Sequence, residues 1–326
     1  MRTIQTLFFT LLCVGITTSA LSAKTFFVKA DGTGNGQSWA AATADLRAVL
    51  QQATTGDQIW IARGTYTPAR RNRDATFFIP TGVQVYGGFA GTETRLDQRN
   101  AATNRTVLSG EIGAPGTEDN TYTVVTFRQA TPTTILDGVV ISGGNADADT
   151  ETGSAQRCGG GLFNDGSNGS STPTISACIF ENNEARDGGA VYNLGRAGIS
   201  SPSFTNCTFR KNTADLDGGA VYNDGRQRGN SSPTFSDCVF EENLATYGAA
   251  IFVGQGNAGC EFLVRNCTFE RNAAYLWGGG IYGLTADDCK MNLSYCRFVD
   301  NYPTNINKRY TFAQNIEDVA TLMANK

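Results

Sequence analysis

Two short motifs that each recur about every 30 residues, in a chain rich in Gly, Asn and Thr, predict an all-β solenoid: a right-handed parallel β-helix with a short N-terminal capping helix. The first motif is Gly-Gly-Ala-Val and its variants. It starts at Gly159, Gly188, Gly218, Gly248 and Gly278, with spacings of 29, 30, 30 and 30. The second is Cys-x-Phe-x-x-Asn, starting at Cys178, Cys207, Cys238, Cys267 and Cys296, with spacings of 29, 31, 29 and 29. Two independent motifs hold one period over the same stretch.

The elements follow in chain order. Residues 1–23 read as a signal peptide: Arg2, an apolar run from Leu7 to Ile16, then small residues through Ala20, Ser22 and Ala23. The run is short for a membrane span, so the mature chain is expected to carry no transmembrane anchor. The expected location is secreted or at the cell surface, with the periplasm as a further compartment. Cys13 leaves with this segment.

Residues 24–144 are expected to form the N-terminal cap and first coils. Lys24–Lys29 alternates like a strand. Asp45–Thr54 is helix-like, with Leu46, Val49 and Leu50 on one face. Gly56-Asp57 turns into a strand at Gln58–Ala62, followed by Gly64-Thr65-Tyr66. A cap is a physical requirement, because an open first coil would expose a sheet edge and an apolar core.

Residues 145–312 carry the regular repeats. Cys207 and Phe209 lie two apart and share one face of a strand, while Asn212 marks a turn. Thirty residues cannot bury a core alone, but stacked copies can. Coils about 4.8 Å apart would align Cys, Phe and Asn into ladders, with the Asn amides bonding from coil to coil. Residues 313–326 drop the motif; Ile316–Met323 is expected to cap the far end as a short amphipathic helix.

The paired Gly-Gly-Ala-Val and Phe-x-x-Asn motifs, over residues 156–301, resemble the repeats of chlamydial polymorphic outer-membrane proteins. The segment GDQIWIARGTY (56–66), preceded by a strand and a short helix, resembles the N-terminal cap of secreted β-helix proteins, some polysaccharide lyases among them. VQVYGGFAGTET (83–94) and NRTVLSGEIG (104–113) resemble a broad class of bacterial secreted β-helix repeat proteins. These resemblances imply an exported solenoid.

Composition excludes several chemistries. The chain has no histidine, so it has no Ser-His-Asp triad, no Cys-His dyad and no His-ligated zinc. A net charge of -4 gives no whole-chain attraction to nucleic acid. There is no Cys-x-x-Cys pair. The five ladder cysteines read as small buried hydrophobes. Cys260 and Cys289 each lie seven residues before a ladder cysteine, which suits a disulfide between neighbouring coils. Cys158 has no evident partner.

Ligands of a packed solenoid bind its outer face. The residue after the apolar position of the glycine motif is Phe163, Tyr192, Tyr222, Phe252 or Tyr282, a column expected to point away from the core. Exposed rings at Tyr192, Tyr222 and Tyr282 would stack on sugars; alternatively, they stack on one another and shield the sheet. Asp187 and Asp217 precede two glycine pairs, and Arg196 and Arg226 follow them. The arginine forks would hold carboxylates, and the paired aspartates could hold Ca²⁺. Asp147, Asp149 and Glu151 form a second, weaker Ca²⁺ candidate. No other cofactor is expected. Arg63, Arg70, Arg71 and Arg73 form a basic patch near the first coils.

The chain therefore reads as an exported module that binds a polysaccharide or cell-surface glycan in an adhesion-type role. Its regularity favours this over an enzyme, since catalytic sites break repeats locally. The alternatives are a polysaccharide lyase acting on a uronate-containing polymer and a structural surface protein without a small ligand. In the resembling lyases a Lys or Arg is the base, so lack of histidine does not exclude that chemistry. The Gly-His-Gly motif of polygalacturonase-like proteins and the Arg-x-Pro-x-x-Arg motif of pectate-lyase-like proteins are both missing. Oligomeric state is left open.

Overall fold

The computed structural model describes residues 23–254, 261–283 and 290–308. The chain winds as a right-handed parallel β-helix of about nine turns. Each regular coil contributes one short strand to each of four parallel sheets. In the coil that begins at Thr174 these are Thr174–Ser176 in sheet 1, Ile179–Glu181 in sheet 2, Glu184–Asp187 in sheet 3 and Val191–Leu194 in sheet 4. The next coil repeats them in register, with Ile175 beside Phe204, Phe180 beside Phe209 and Val191 beside Val221.

The N-terminal cap forms as the sequence predicts. The strand Thr25–Val28 is the edge of sheet 1 and pairs with Gln58–Ala62. Between them the helix Leu46–Gln52 is N-capped by Asp45, whose carboxylate accepts from the Ala48 amide at 2.9 Å. Leu46, Val49 and Leu50 are buried on the first coil. The expected signal peptide, the Cys260–Cys289 pair and the C-terminal cap lie outside the described residues. No helix among the described residues is long and apolar enough to cross a membrane.

The interior is a set of ladders. Phe180, Phe209, Phe240, Phe269 and Phe298 stack with centroid separations of 4.9, 4.7, 4.7 and 4.6 Å. Cys178, Cys207, Cys238 and Cys267 are buried beside them and Cys296 partly so, all as free thiols. Asn183, Asn212, Asn243, Asn272 and Asn301 form an amide ladder, with Nδ2 to Oδ1 bonds of 3.0, 3.0, 2.9 and 2.8 Å. Each ladder amide also donates to a carbonyl of the preceding coil, as Asn212 does to Phe180 at 3.0 Å. Each Oδ1 from Asn212 to Asn301 accepts a backbone amide as well, as Asn212 does from Asn183 at 3.2 Å. These buried polar groups are fully used.

One local expectation changes. The left-handed residue of the sheet 2 to sheet 3 turn is not the ladder asparagine but the residue before it. Asn182, Lys211, Glu242, Arg271 and Asp300 have φ of 52, 53, 54, 52 and 52°. Asparagine holds its position through its amide, not through its tolerance of the turn.

The glycine motif has a steric cause. Gly188 lies at φ 66°, where a side chain is strained, and a Cβ on Gly189 would run into the carbonyl oxygens of Thr213 and Gly219.

Replacing Asn212 by Ala would strand the Asn183 backbone amide and the Phe180 carbonyl inside the solenoid. At roughly 1–3 kcal/mol for each unsatisfied group, the expected loss is about 2–6 kcal/mol. Denaturant unfolding measures it; a loss under 1 kcal/mol would refute the structural weight given to the ladder.

Candidate functional site

The residue just before each glycine pair lies at the corner between sheets 3 and 4. Register places Cys158, Asp187, Asp217, Tyr247 and Trp277 in one column, one residue per coil. The two aspartates predicted from the sequence are thus neighbours. Tyr247 and Trp277 continue their column, and sequence reasoning missed both. The signal was present, because each directly precedes its glycine, at Gly248 and Gly278.

Asp187 is buried, and its carboxyl lies 4.0 Å from the Cys158 thiol. Burial pushes its pKa up, against the pull of Arg157, Arg186 and Arg226. Asp217 is half-buried; burial and then the neighbouring Asp187 push its pKa up to about 7. The corner therefore holds a carboxyl pair reluctant to lose both protons.

The aromatic column corrects the sequence expectation. Phe163, Tyr192, Tyr222, Phe252 and Tyr282 do point away from the main core, since they form a separate apolar cluster with Cys158 and Leu194. They are not exposed: Tyr192 is 0 % exposed, Tyr222 6 % and Tyr282 3 %. The rings stack on one another, with centroids of Tyr192 and Tyr222 4.9 Å apart and Tyr222 and Phe252 4.8 Å apart. Residues 148–158 close over the upper end, where Ala155 and Cys158 pack against the cluster. As they stand, these tyrosines offer no face to a sugar.

The arginines are also committed. The Tyr192 hydroxyl donates to Asp224 at 2.6 Å, Arg196 Nε donates to it at 2.5 Å and Arg226 Nε at 2.8 Å. Arg196 Nη1 donates further to the Thr152 carbonyl at 2.7 Å. Burial would raise the Asp224 pKa, but hydrogen bonds from Arg226 and Tyr192 outweigh it and hold the carboxyl below its ordinary value. Arg196 and Arg226 are therefore clamps on a buried aspartate, not free carboxylate receptors. Asp224 was legible as the residue two before Arg226.

The weaker Ca²⁺ candidate does not assemble. Asp147 pairs with Arg73 at 2.7 Å, and no group of three or more His, Cys, Asp or Glu side chains among the described residues converges as a metal site.

What the corner does expose lies lower in the same column. Trp277 is 46 % exposed and forms a ring cluster with Tyr247 and Tyr282 at 5.6 and 6.1 Å. Tyr275 and Leu276 stand beside it, 70 % and 48 % exposed. They protrude because the strand Ala273–Trp277 has one more residue between its paired positions than Leu244–Tyr247, a bulge that turns side chains outward. Tyr302 adds a fourth exposed large apolar side chain at the next coil, where it bridges to Ala273. Contiguous exposed rings beside polar groups mark binding surfaces.

Fold and site together define a β-solenoid with exposed aromatic side chains and a half-buried carboxyl along one corner. The chain belongs to the right-handed β-helix region family, whose model matches residues 120–315. Among solved structures it is similar to the pectate lyase Pel9A, with 13 % identity over 92 % of this chain and 79 % of that one, and a TM-score of 0.51. It also aligns with Escherichia coli YbhC, with 14 % identity over 86 % of this chain and 73 % of that one, and a TM-score of 0.44. No curated protein matches in a sequence comparison. The likeness to Pel9A is one of fold.

The raised Asp217 pKa has a thermodynamic consequence with a definite sign. Between pH of about 4 and about 7 the folded chain keeps a proton that the unfolded chain has released. This carboxyl's contribution to stability is thus full below about pH 4 and lost as pH rises to about 7. Asp217→Asn removes the dependence. The melting temperature of the variant relative to the parent should rise between pH 4 and pH 8; a constant difference would show that Asp217 titrates normally.

Proposed function

We propose that the chain is an exported glycan-binding module whose ligand lies along the sheet 3 corner. The observation that carries this reading is the exposed Trp277, set in a ring cluster with Tyr247 and Tyr282, in the column of the Asp187–Asp217 pair. The Trp277 indole, backed by the buried Tyr282 ring and edged by the half-buried Tyr247, presents a flat apolar face to the C–H faces of sugars, and the half-buried Asp217 accepts from their hydroxyls. From the half-buried Asp217 to Trp277 the column crosses two coil steps, about 10 Å at the usual strand spacing. That is a linear site, suited to a chain-like ligand.

The arginines expected to hold a glycan carboxylate, Arg196 and Arg226, are bound to Asp224, so the reading rests on the ring surface and not on them. A purely structural role leaves the exposed Trp277, Tyr275 and Leu276 without a purpose.

The test is titration of the mature chain with neutral and acidic polysaccharides, read by calorimetry and by ultraviolet absorbance of unsaturated sugar ends. Binding without absorbance is expected. Trp277→Ala should weaken it about tenfold, the equivalent of about 1.4 kcal/mol. Equal affinity of parent and variant would overturn the reading, and rising absorbance would replace it with the lyase.

A further inference from the structure

The early coils have no regular glycine motif, and on the sheet 3 side they carry two loops instead. Residues 67–76 follow the sheet 2 strand Gly64–Tyr66, and residues 110–122 follow the sheet 2 strand Thr106–Ser109. They sit on the side that later holds Asp187, Asp217, Tyr247 and Trp277. Arg73 fixes the first loop to that side. Its Nε donates to the Asn120 carbonyl at 2.7 Å, and its Nη2 donates to the Asn145 carbonyl at 3.0 Å and to Asp147 at 2.7 Å. Its guanidinium also lies 4.1 Å over the Tyr122 ring.

A cleft of about 660 Å³ opens between the two loops, lined by Arg70, Arg71, Arg73, Glu118 and Asp119 among others. Arg73 is used up as its floor. Asp119 is committed too, since it accepts from the Ala114 amide at 2.7 Å. Arg70 and Arg71 are exposed and have no hydrogen-bond or ion-pair partner among the described residues. Glu118 is likewise unpaired. The cleft thus offers two free guanidinium forks and one free acceptor. Past Arg73 the same loop enters a second cleft of about 380 Å³, lined by Arg47, Gln51, Asp74 and Phe78, with the Phe78 ring 44 % exposed. An aromatic face walled by polar side chains again suits a sugar ring.

We propose that the Arg70–Arg71 cleft is an anion subsite. It receives a carboxylate or sulfate ester carried by the glycan whose path runs down the sheet 3 side. The planar forks of Arg70 and Arg71 match either oxyanion, and Glu118 accepts from a neighbouring hydroxyl. The free pair of forks selects charge, and the Trp277 surface selects sugar rings without regard to charge. This rests on the glycan reading for the path, but the subsite stands on its own residues.

The test titrates the full chain with a polyuronate, a sulfated polysaccharide and a neutral glucan of similar length, at low and at moderate salt. The parent should bind one acidic polymer at least tenfold tighter than the glucan, with the gap shrinking as salt rises. The tighter acidic polymer identifies the group. Arg70→Ala/Arg71→Ala should abolish the gap while keeping glucan affinity. Both positions are exposed, and an unchanged melting temperature verifies the fold. Trp277→Ala should weaken all three polymers alike. If the double variant keeps the preference for acid, the subsite is wrong and the glycan reading stands. If Trp277→Ala changes nothing while the double variant loses acid binding, the subsite stands and the Trp277 surface does not. Failure of all polymers to bind the parent overturns both.

Discussion

The ladder asparagines from Asn183 to Asn272 hydrogen-bond to the coils on either side of them, and this ties the sequence period to the backbone spacing. The amide of Asn243 donates to Phe209 above and to Asn272 beside it, while its oxygen accepts from Asn212. A slip of one residue would break all three bonds and turn the phenylalanine ladder inside out. Yet the repeat length is not fixed. The spacing from Cys207 to Cys238 is 31, against 29 for its neighbours. The two additional residues are absorbed where register is cheap. One is in the strand Thr213–Asp217, which has one residue more between its paired positions than Glu184–Asp187, and the other is in the loop before Thr234. The ladder corner holds its register, and the sheet 3 strand and the loop from sheet 4 to sheet 1 take up the irregularity.

That division explains what was legible in the sequence. Fold class, cap helix and the Cys, Phe and Asn ladders follow from periodicity and from alternation along strands, which are local properties. The direction of the Tyr192, Tyr222 and Tyr282 column was also legible, because Val191, Val221 and Ile281 must face the core. Its exposure was not. Stacking buries the ring faces, Asp224 ties down the Tyr192 hydroxyl, and residues 148–158 cover the upper end. The last depends on a loop whose path no periodic pattern encodes. The same holds for Arg196 and Arg226, whose partner is a single buried carboxylate shared between coils.

The carboxyl pair and the exposed rings divide the corner into two physical regimes. Around Asp224 the carboxylate is saturated: one buried carboxylate accepts from two guanidinium groups and a hydroxyl. This offsets its desolvation and makes the group rigid. Around Asp187 and Asp217 the match is incomplete, and both carboxyls are held above their ordinary pKa. Such a pair lowers stability at neutral pH, so stability alone does not account for it. It adjoins the one stretch of the column where large apolar side chains reach solvent.

Interior and exterior columns of a solenoid obey different rules, and the difference points to where recognition can reside. Inside, stacking rewards identity: five asparagines and five phenylalanines repeat because each copy completes its neighbour's bonds and contacts. The column before the glycines reads Cys158, Asp187, Asp217, Tyr247 and Trp277 at equivalent backbone positions. Coil-to-coil packing asks for no such series, since glycine pairs and backbone bonds already close that corner. A column released from the repeat can carry a different chemistry at each step along the axis. Along the axis the column passes from the buried Asp187 through the half-buried Asp217 and Tyr247 to the exposed Trp277, so that position along the solenoid sets the chemistry that reaches solvent.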